Sequence, residues 1–253
     1  MRRVIWAVPL VLSAFLAGCV RSASSPPVES APRAVTTTIF PVITPTVNPA
    51  DFPLDLGSTW IYDYSAYTGA SEAIWRVTDT IVAVTIRDGF LIAEVEQAAI
   101  IKAGDASSHD LNEPMVGHFW YLFDGVHLYK QTDEPDPAHA ADAWLELVFP
   151  LGGSGCWYPD AHQRGEMSGV TPASGPVPGC RSASGEPHPV EVPARMFEAC
   201  IDVVTYYNSG PTFLTFCPGV GIVATRYDHS GSQFGYRSAL AGYLLPISKE
   251  ATP

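Results

Sequence analysis

His109, His118 and His127 recur at nine-residue intervals, a spacing that on paired strands would bring two imidazoles close enough to share a metal ion. The same spacing suits independent half-buried strand residues, and His127 follows an Asp-Gly-Val turn that accounts for it without a ligand. Asp228-His229-Ser230 sets three residue types of a hydrolytic triad side by side. Consecutive residues cannot supply triad geometry to one another, so a polar turn is the better reading. The stretch TDEPDPAHAADAW holds Asp133, Glu134, Asp136 and Asp142, enough carboxylates to imagine Ca²⁺. It lacks the D-x-D-x-D-G order and the closing Glu of a known loop, and reads as a solvated acidic loop. No G-x-S-x-G, H-E-x-x-H, phosphate loop or dinucleotide fingerprint is present. The sequence therefore nominates no catalytic residue, no metal ligand and no cofactor.

The cysteines carry more. Arg2 and Arg3 precede a run, Val4 to Ala17, that is apolar except for Pro9 and Ser13, the order of a secretory signal. Fourteen residues are too few to span a hydrocarbon core that needs roughly 20. The run closes on Leu16-Ala17-Gly18-Cys19, which resembles the lipobox of bacterial lipoproteins at all four positions. That resemblance implies a signal peptide over residues 1–18, cleavage before Cys19, and acylation that leaves the Cys19 thiol unable to pair. Two or three acyl chains, at about 0.8 kcal/mol per buried CH₂, would hold the chain on a membrane essentially permanently. The expected location is the cell envelope, on the extracytoplasmic face of a bacterial membrane.

Residues 19–50 are dense in Pro, Ser, Thr and Ala with no sustained helical or strand period, and read as a disordered tether. The remaining residues, 51–253, suit a single domain with enough chain for a core. The whole chain has a formal charge of −12, and loss of Arg2 and Arg3 with the leader makes it −14. That balance argues against nucleic acid as a partner. Beyond the membrane reached through the lipid, it names no protein partner.

Cys156, Cys180, Cys200 and Cys217 remain after Cys19, and an even count in an exported chain reads as two disulfides. Three pairings exist. Cys156 with Cys180 and Cys200 with Cys217 is preferred, because the second pair nearly faces across a hairpin and the first would fasten a long loop. The absence of any C-x-x-C pair argues against structural zinc.

The elements that position these residues read as strands. WRVTDTIVAVTIRDGFLIAEVEQAAI alternates around Asp88-Gly89, a hairpin signal that sets 75–87 against 90–101. Asp124-Gly125 predicts a second hairpin of the same kind between 117–123 and 126–131. FEACIDVVTYYNSGPTFLTFCPGVGIVATRY predicts a third, with Tyr207 facing Thr212, followed by strands at 221–228 and 232–245. With strands at 60–67 and 144–149, the count is about ten. The expected fold is an all-β antiparallel meander, curved into a half-barrel or barrel-like sheet. Residues 150–189, rich in Gly, Pro and Ser, are expected as a long loop.

FPLDLGSTW at 52–60 is echoed by FPLGGSGCW at 149–157, and each reads as a corner where an aromatic plugs one end of the sheet. Pro53, Leu54, Gly57, Trp60 and Tyr62, with Pro218 to Val223, resemble a loose set of bacterial exported proteins marked by Pro-Leu-x-x-Gly-x-x-Trp-x-Tyr and Pro-Gly-Val-Gly-x-Val. The resemblance implies a curved β domain and no activity. Trp60, Trp75, Trp120, Trp144 and Trp157 suit half-buried strands, a minority of them lining a groove. The leading expectation is thus a non-catalytic β domain that binds a small apolar or glycan ligand. A structural or protein-binding envelope module and a hydrolase of unfamiliar type are the alternatives.

Overall fold

A computed structural model describes residues 52–104, 113–151, 155–162, 178–183 and 186–246; Cys19, the leader, the tether and His109 lie outside the described residues. Among the described residues thirteen strands follow in order: β1 (Thr59–Thr68), β2 (Ser71–Arg87), β3 (Phe90–Ala103), β4 (Gly117–Phe123), β5 (His127–Gln131), β6 (Trp144–Val148), β7 (Cys156–Trp157), β8 (Arg181–Ala183), β9 (His188–Val192), β10 (Arg195–Tyr207), β11 (Gly210–Cys217), β12 (Gly221–Asp228) and β13 (Phe234–Leu244). They form one antiparallel sheet in the order β6-β5-β4-β3-β2-β1-β13-β12-β11-β10-β8-β7, with β9 added beside β10. The expected meander is correct, and it curls into a nearly closed barrel. Its two edges meet where Leu145 N donates to Pro159 O across 2.9 Å, joining β6 to the residues just after β7.

Alternation along each strand sorts the wall into two faces. On β1, Trp60, Tyr62, Tyr64 and Ala66 share one parity and take part in the interior clusters, while Asp63 pairs on the other face with Arg76 of β2 at 2.7 Å. One end of the interior is packed solid by Phe52, Trp60, Tyr121, Phe149 and Phe216. Phe52 is central to it, stacked against Trp60 at 6.1 Å and Phe216 at 6.1 Å, and edge-on to Tyr121 at 5.3 Å. A 3₁₀ turn, Pro137–Asp142, covers part of the outer wall and packs Ala140 against Ile92 and Leu122.

Turn chemistry settles several local expectations. Asp88 (φ 51°) and Gly89 (φ 84°) both sit in the left-handed region, as the β2–β3 hairpin requires. The Asp124 turn works differently. Asp124 is not left-handed; its Oδ1 accepts from the N–H groups of Val126 (2.8 Å) and His127 (2.7 Å), so the side chain itself closes the turn. The third hairpin is tighter than expected, with Tyr207 facing Gly210 rather than Thr212. This register continues from Ile201↔Phe216 to Cys200 and Cys217, which are joined with Cα atoms 4.2 Å apart. The 150–189 stretch is not wholly loop: β7, β8 and the start of β9 fall inside it, and Cys156–Cys180 ties β7 to the residue before β8.

The two sequence motifs that mark the ends of the domain meet in space. Trp60 Nε1 donates to Val220 O at 2.7 Å, and Tyr62 Oη donates to Ile222 O at 2.9 Å. A bulge at Val223, between the pairs Thr215↔Ala224 and Phe216↔Ile222, breaks the ladder beside Ile222. Gly221 (φ 101°) turns the chain there, and a Cβ at this position would lie 3.0 Å from Phe52 Cε2. Gly221→Ala should therefore cost about 2 kcal/mol or more from left-handed strain and crowding. In a Phe52→Leu background the crowding share should vanish, so chemical denaturation of the four-member cycle should show favourable coupling above about 0.5 kcal/mol. Strict additivity would mean that Phe52 does not set the glycine requirement.

Candidate functional site

The plug fills only one end of the barrel. Toward the other end, inward positions become polar, and the walls leave a cavity of about 680 Å³. A deeper compartment of about 270 Å³ adjoins it, the two sharing Met115, Lys130, Glu146 and Thr225. Strand parity explains the change of character. The inner row of β2 runs Trp75, Val77, Asp79, Ile81, and that of β1 runs Trp60, Tyr62, Tyr64, so a carboxylate and two phenols occupy positions that a fully apolar core would fill with aliphatics.

Tyrosines supply much of the lining. Tyr64 stacks on Tyr236 with ring centroids 5.9 Å apart, and Tyr62 and Tyr121 reach the deeper compartment. Burial raises the Tyr62 phenol well above its usual range, with the Asp79 charge adding to it. Tyr121 is raised in the same way by burial and then by Glu146 and Asp79. Tyr64 and Tyr236 are also raised, chiefly by burial. These phenols stay neutral donors at any physiological pH.

Two charged arrangements stand out against that background. Arg181 is buried at the closing seam, where Nε donates to Thr205 Oγ1 (2.8 Å) and Nη1 donates to the backbone carbonyl of Glu146 (2.6 Å). The Glu146 carboxylate lies 3.4 Å from Nη1, and the guanidinium sits 5.7 Å from the Trp144 ring. One side chain thus joins β8, β10 and β6. The second arrangement is Asp79, which accepts from Gln97 Nε2 at 2.7 Å. It is enclosed by the wall yet borders the inner compartment, and burial raises its pKa even though the Gln97 hydrogen bond and the Lys130 charge act the other way. Lys130 lies with Nζ 4.0 Å from the centroid of the Phe119 ring. Gln131 contributes an enclosed Oε1 with no hydrogen-bond partner among the described residues.

Among the described residues first considered for chemistry, Asp142 alone contributes to this lining. His118 Nδ1 meets Glu94 Oε1 at 2.7 Å, and His127 Nδ1 meets Asp124 Oδ2 at 2.9 Å, at opposite ends of the β4–β5 hairpin. Asp228 engages Tyr67 and Arg226, His229 Nδ1 pairs with Ser232 Oγ at 2.8 Å and Ser230 N donates to Ser209 O at 2.6 Å, so the three consecutive residues have separate partners. Asp136 caps the 3₁₀ turn through Ala138 N and pairs with His139. Among the described residues, no three His, Cys, Asp or Glu side chains converge on a metal position. Sequence reading missed Asp79, Lys130, Glu146 and Arg181. The available signal was an acid at an inward parity position of β2.

No protein-family model matches the chain, and no curated protein matches it. Solved structures similar to it at low identity include two from exported bacterial proteins. One is a candidate lipoprotein from Parabacteroides distasonis, 11% identical, covering 76% of this chain and 97% of that one with a TM-score of 0.43. The other is a candidate exported protein with a YmcC-like fold from Bacteroides fragilis, 12% identical, covering 76% and 98% with a TM-score of 0.39.

Arg181→Met should cost about 3–5 kcal/mol in urea unfolding, since it strands the Glu146 carboxylate at the seam. Adding Glu146→Leu should restore much of the loss; a double variant no better than the single one would deny the pairing its structural role. For Asp79 the sign is opposite. A carboxyl whose pKa is higher in the folded state is bound to a proton more readily there, so its contribution to stability falls as pH rises through that pKa. Asp79→Asn should accordingly melt no lower than the parent at pH 7, with the advantage shrinking as pH drops toward 3.8. A clear loss of Tm at pH 7 would contradict this.

Proposed function

We propose that this chain is an extracytoplasmic, lipid-anchored protein whose β barrel holds a small polar ligand in its interior and does not transform it. The observation that carries this reading is the cavity of about 680 Å³, continued by the inner compartment and lined by tyrosine rings together with Asp79, Lys130, Glu146 and Arg181. Pockets of this size take small molecules, and their few polar groups set which ones. A purely apolar ligand would take water from the carboxylates and the ammonium that border the cavity and offer no hydrogen bonds in return, which opposes its burial. Among the two expected ligand types, the glycan-like one is therefore favoured. Saccharides suit such a lining because their C–H faces stack on aromatic rings while their hydroxyls need both donors and acceptors.

The anchored location rests on Leu16-Ala17-Gly18-Cys19 and agrees with two disulfides, which persist in oxidising compartments. Full-length protein should fractionate with membranes, and Cys19→Ser should release it or leave its leader attached. Native mass spectrometry of the detergent-solubilised lipoprotein should then reveal a reproducible small, polar adduct beyond the acyl mass. An adduct that is a fatty acid or lipid would reverse the polarity argument, and a bare barrel that captures envelope proteins instead would favour the binding-module alternative.

A further inference from the structure

We propose that the interior site is built for a small organic cation, such as an amine-bearing sugar or another compact ammonium ligand, held against Asp79 and the surrounding tyrosine faces. This rests on the reading of the cavity as a ligand site and specifies the charge of its occupant.

The balance of fixed charge points that way. The two compartments are bordered by four acids, Glu113, Asp79, Asp142 and Glu146, and by two cations, Lys130 and Arg181. Both cations already have partners. Arg181 is committed to Thr205 and Glu146, and the Lys130 ammonium lies over the Phe119 ring and acts on the Asp79 charge. The acids exceed them by two, so a cation entering the cavity meets net attraction. An anion would meet repulsion in a space where low dielectric strengthens either effect.

Unused hydrogen-bonding capacity is of the same kind. Asp79 uses Oδ1 to accept from Gln97, and Oδ2 accepts no hydrogen bond among the described residues. Asp79 borders the inner compartment, and an ammonium group is a donor with no acceptor of its own. Aromatic faces complete the match. Tyr62, Tyr64 and Tyr121 border the inner compartment with Asp79, and aromatic rings beside a carboxylate favour a cation over an anion. Asp79 is half-buried, is held by Gln97 through one oxygen and feels the Lys130 charge, and it faces a compartment that an added cation could enter. A ligand that neutralises it gives the position a purpose.

The test uses full-length lipoprotein in neutral detergent and two pairs of probes matched in shape and differing in charge: glucosamine against glucose, and choline against 3,3-dimethylbutan-1-ol. Calorimetric titration at pH 7 and fixed salt should show at least one cation binding tenfold or more tightly than its neutral counterpart. Asp79→Asn should erase that preference, with the melting profile showing that the barrel remains folded, and Asp79→Glu should keep part of it. Equal affinity within a pair that binds, or a preference that survives in Asp79→Asn, would overturn the cation assignment while leaving the cavity as a ligand site. Failure of all four probes to bind would count against both readings.

Discussion

Two hydrogen bonds from one strand fix how this barrel is plugged. Trp60 and Tyr62 stand on the inner face of β1 and reach past the intervening β13 to the carbonyls of Val220 and Ile222. Those carbonyls point inward because the turn before β12 and the bulge at Val223 take the backbone out of its regular ladder. The arrangement satisfies groups that would otherwise be buried without partners, which makes it costly to break. It also sets the place of Phe52, which lies between Trp60 and Phe216 and reaches the flat backbone of Gly221. The first and last thirds of the domain are thereby locked to each other, and the aromatic plug that closes one end of the barrel is formed at their junction.

The second constraint lies at the opposite side of the sheet. A strand order that begins at β6 and ends at β7 has two edges, and a backbone hydrogen bond joins them at Leu145 and Pro159. Arg181 closes the rest through side-chain contacts to Thr205 and to Glu146, and the Cys156–Cys180 disulfide fixes the residue next to it. A bond that closes a loop of this length stabilises by about 3 kcal/mol, mainly by restricting the unfolded chain. The seam therefore depends on a buried ion pair held in place by a covalent tie. Bare edge strands invite association with other chains, and this closure removes them.

Plug and seam together explain why the interior can hold charge. A fully packed barrel of this kind would be stabilised by aliphatic residues along its whole length. Here the apolar packing is concentrated between Phe52 and Leu240 at one end, which leaves the rest of the inner face free to carry Asp79, Lys130, Glu146 and the tyrosines. Asp79 destabilises the folded state when ionised, as its raised pKa records, and such positions are where function competes with stability.

Local patterns in the sequence determined most of the fold. Alternation in β2 and β3 and the Asp88-Gly89 turn are properties of neighbouring residues, so the hairpin was legible without the rest of the chain. The facing of Cys200 and Cys217 followed from the same counting, although the tighter turn at Asn208-Ser209 shifted the expected register by two residues. The Phe-Pro-Leu echo also had a physical basis: Phe52 and Phe149 both pack on Phe216, at 6.1 and 5.5 Å, while the two tryptophans differ, Trp60 being hydrogen-bonded and Trp157 Nε1 having no partner among the described residues. The strands β7 and β8 were not legible, because two and three residues are too short to show a period and they pair only when the barrel brings β10 beside them. The site was hidden for the same reason. Asp79, Lys130, Glu146 and Arg181 are spread over more than a hundred residues with no fixed spacing, and only the curl of the sheet and the closing of its seam bring them around one cavity. Sequence alone determined the strands and their turns, which depend on neighbours along the chain; tertiary structure decided the cavity and its charge, which depend on curvature that no local pattern encodes.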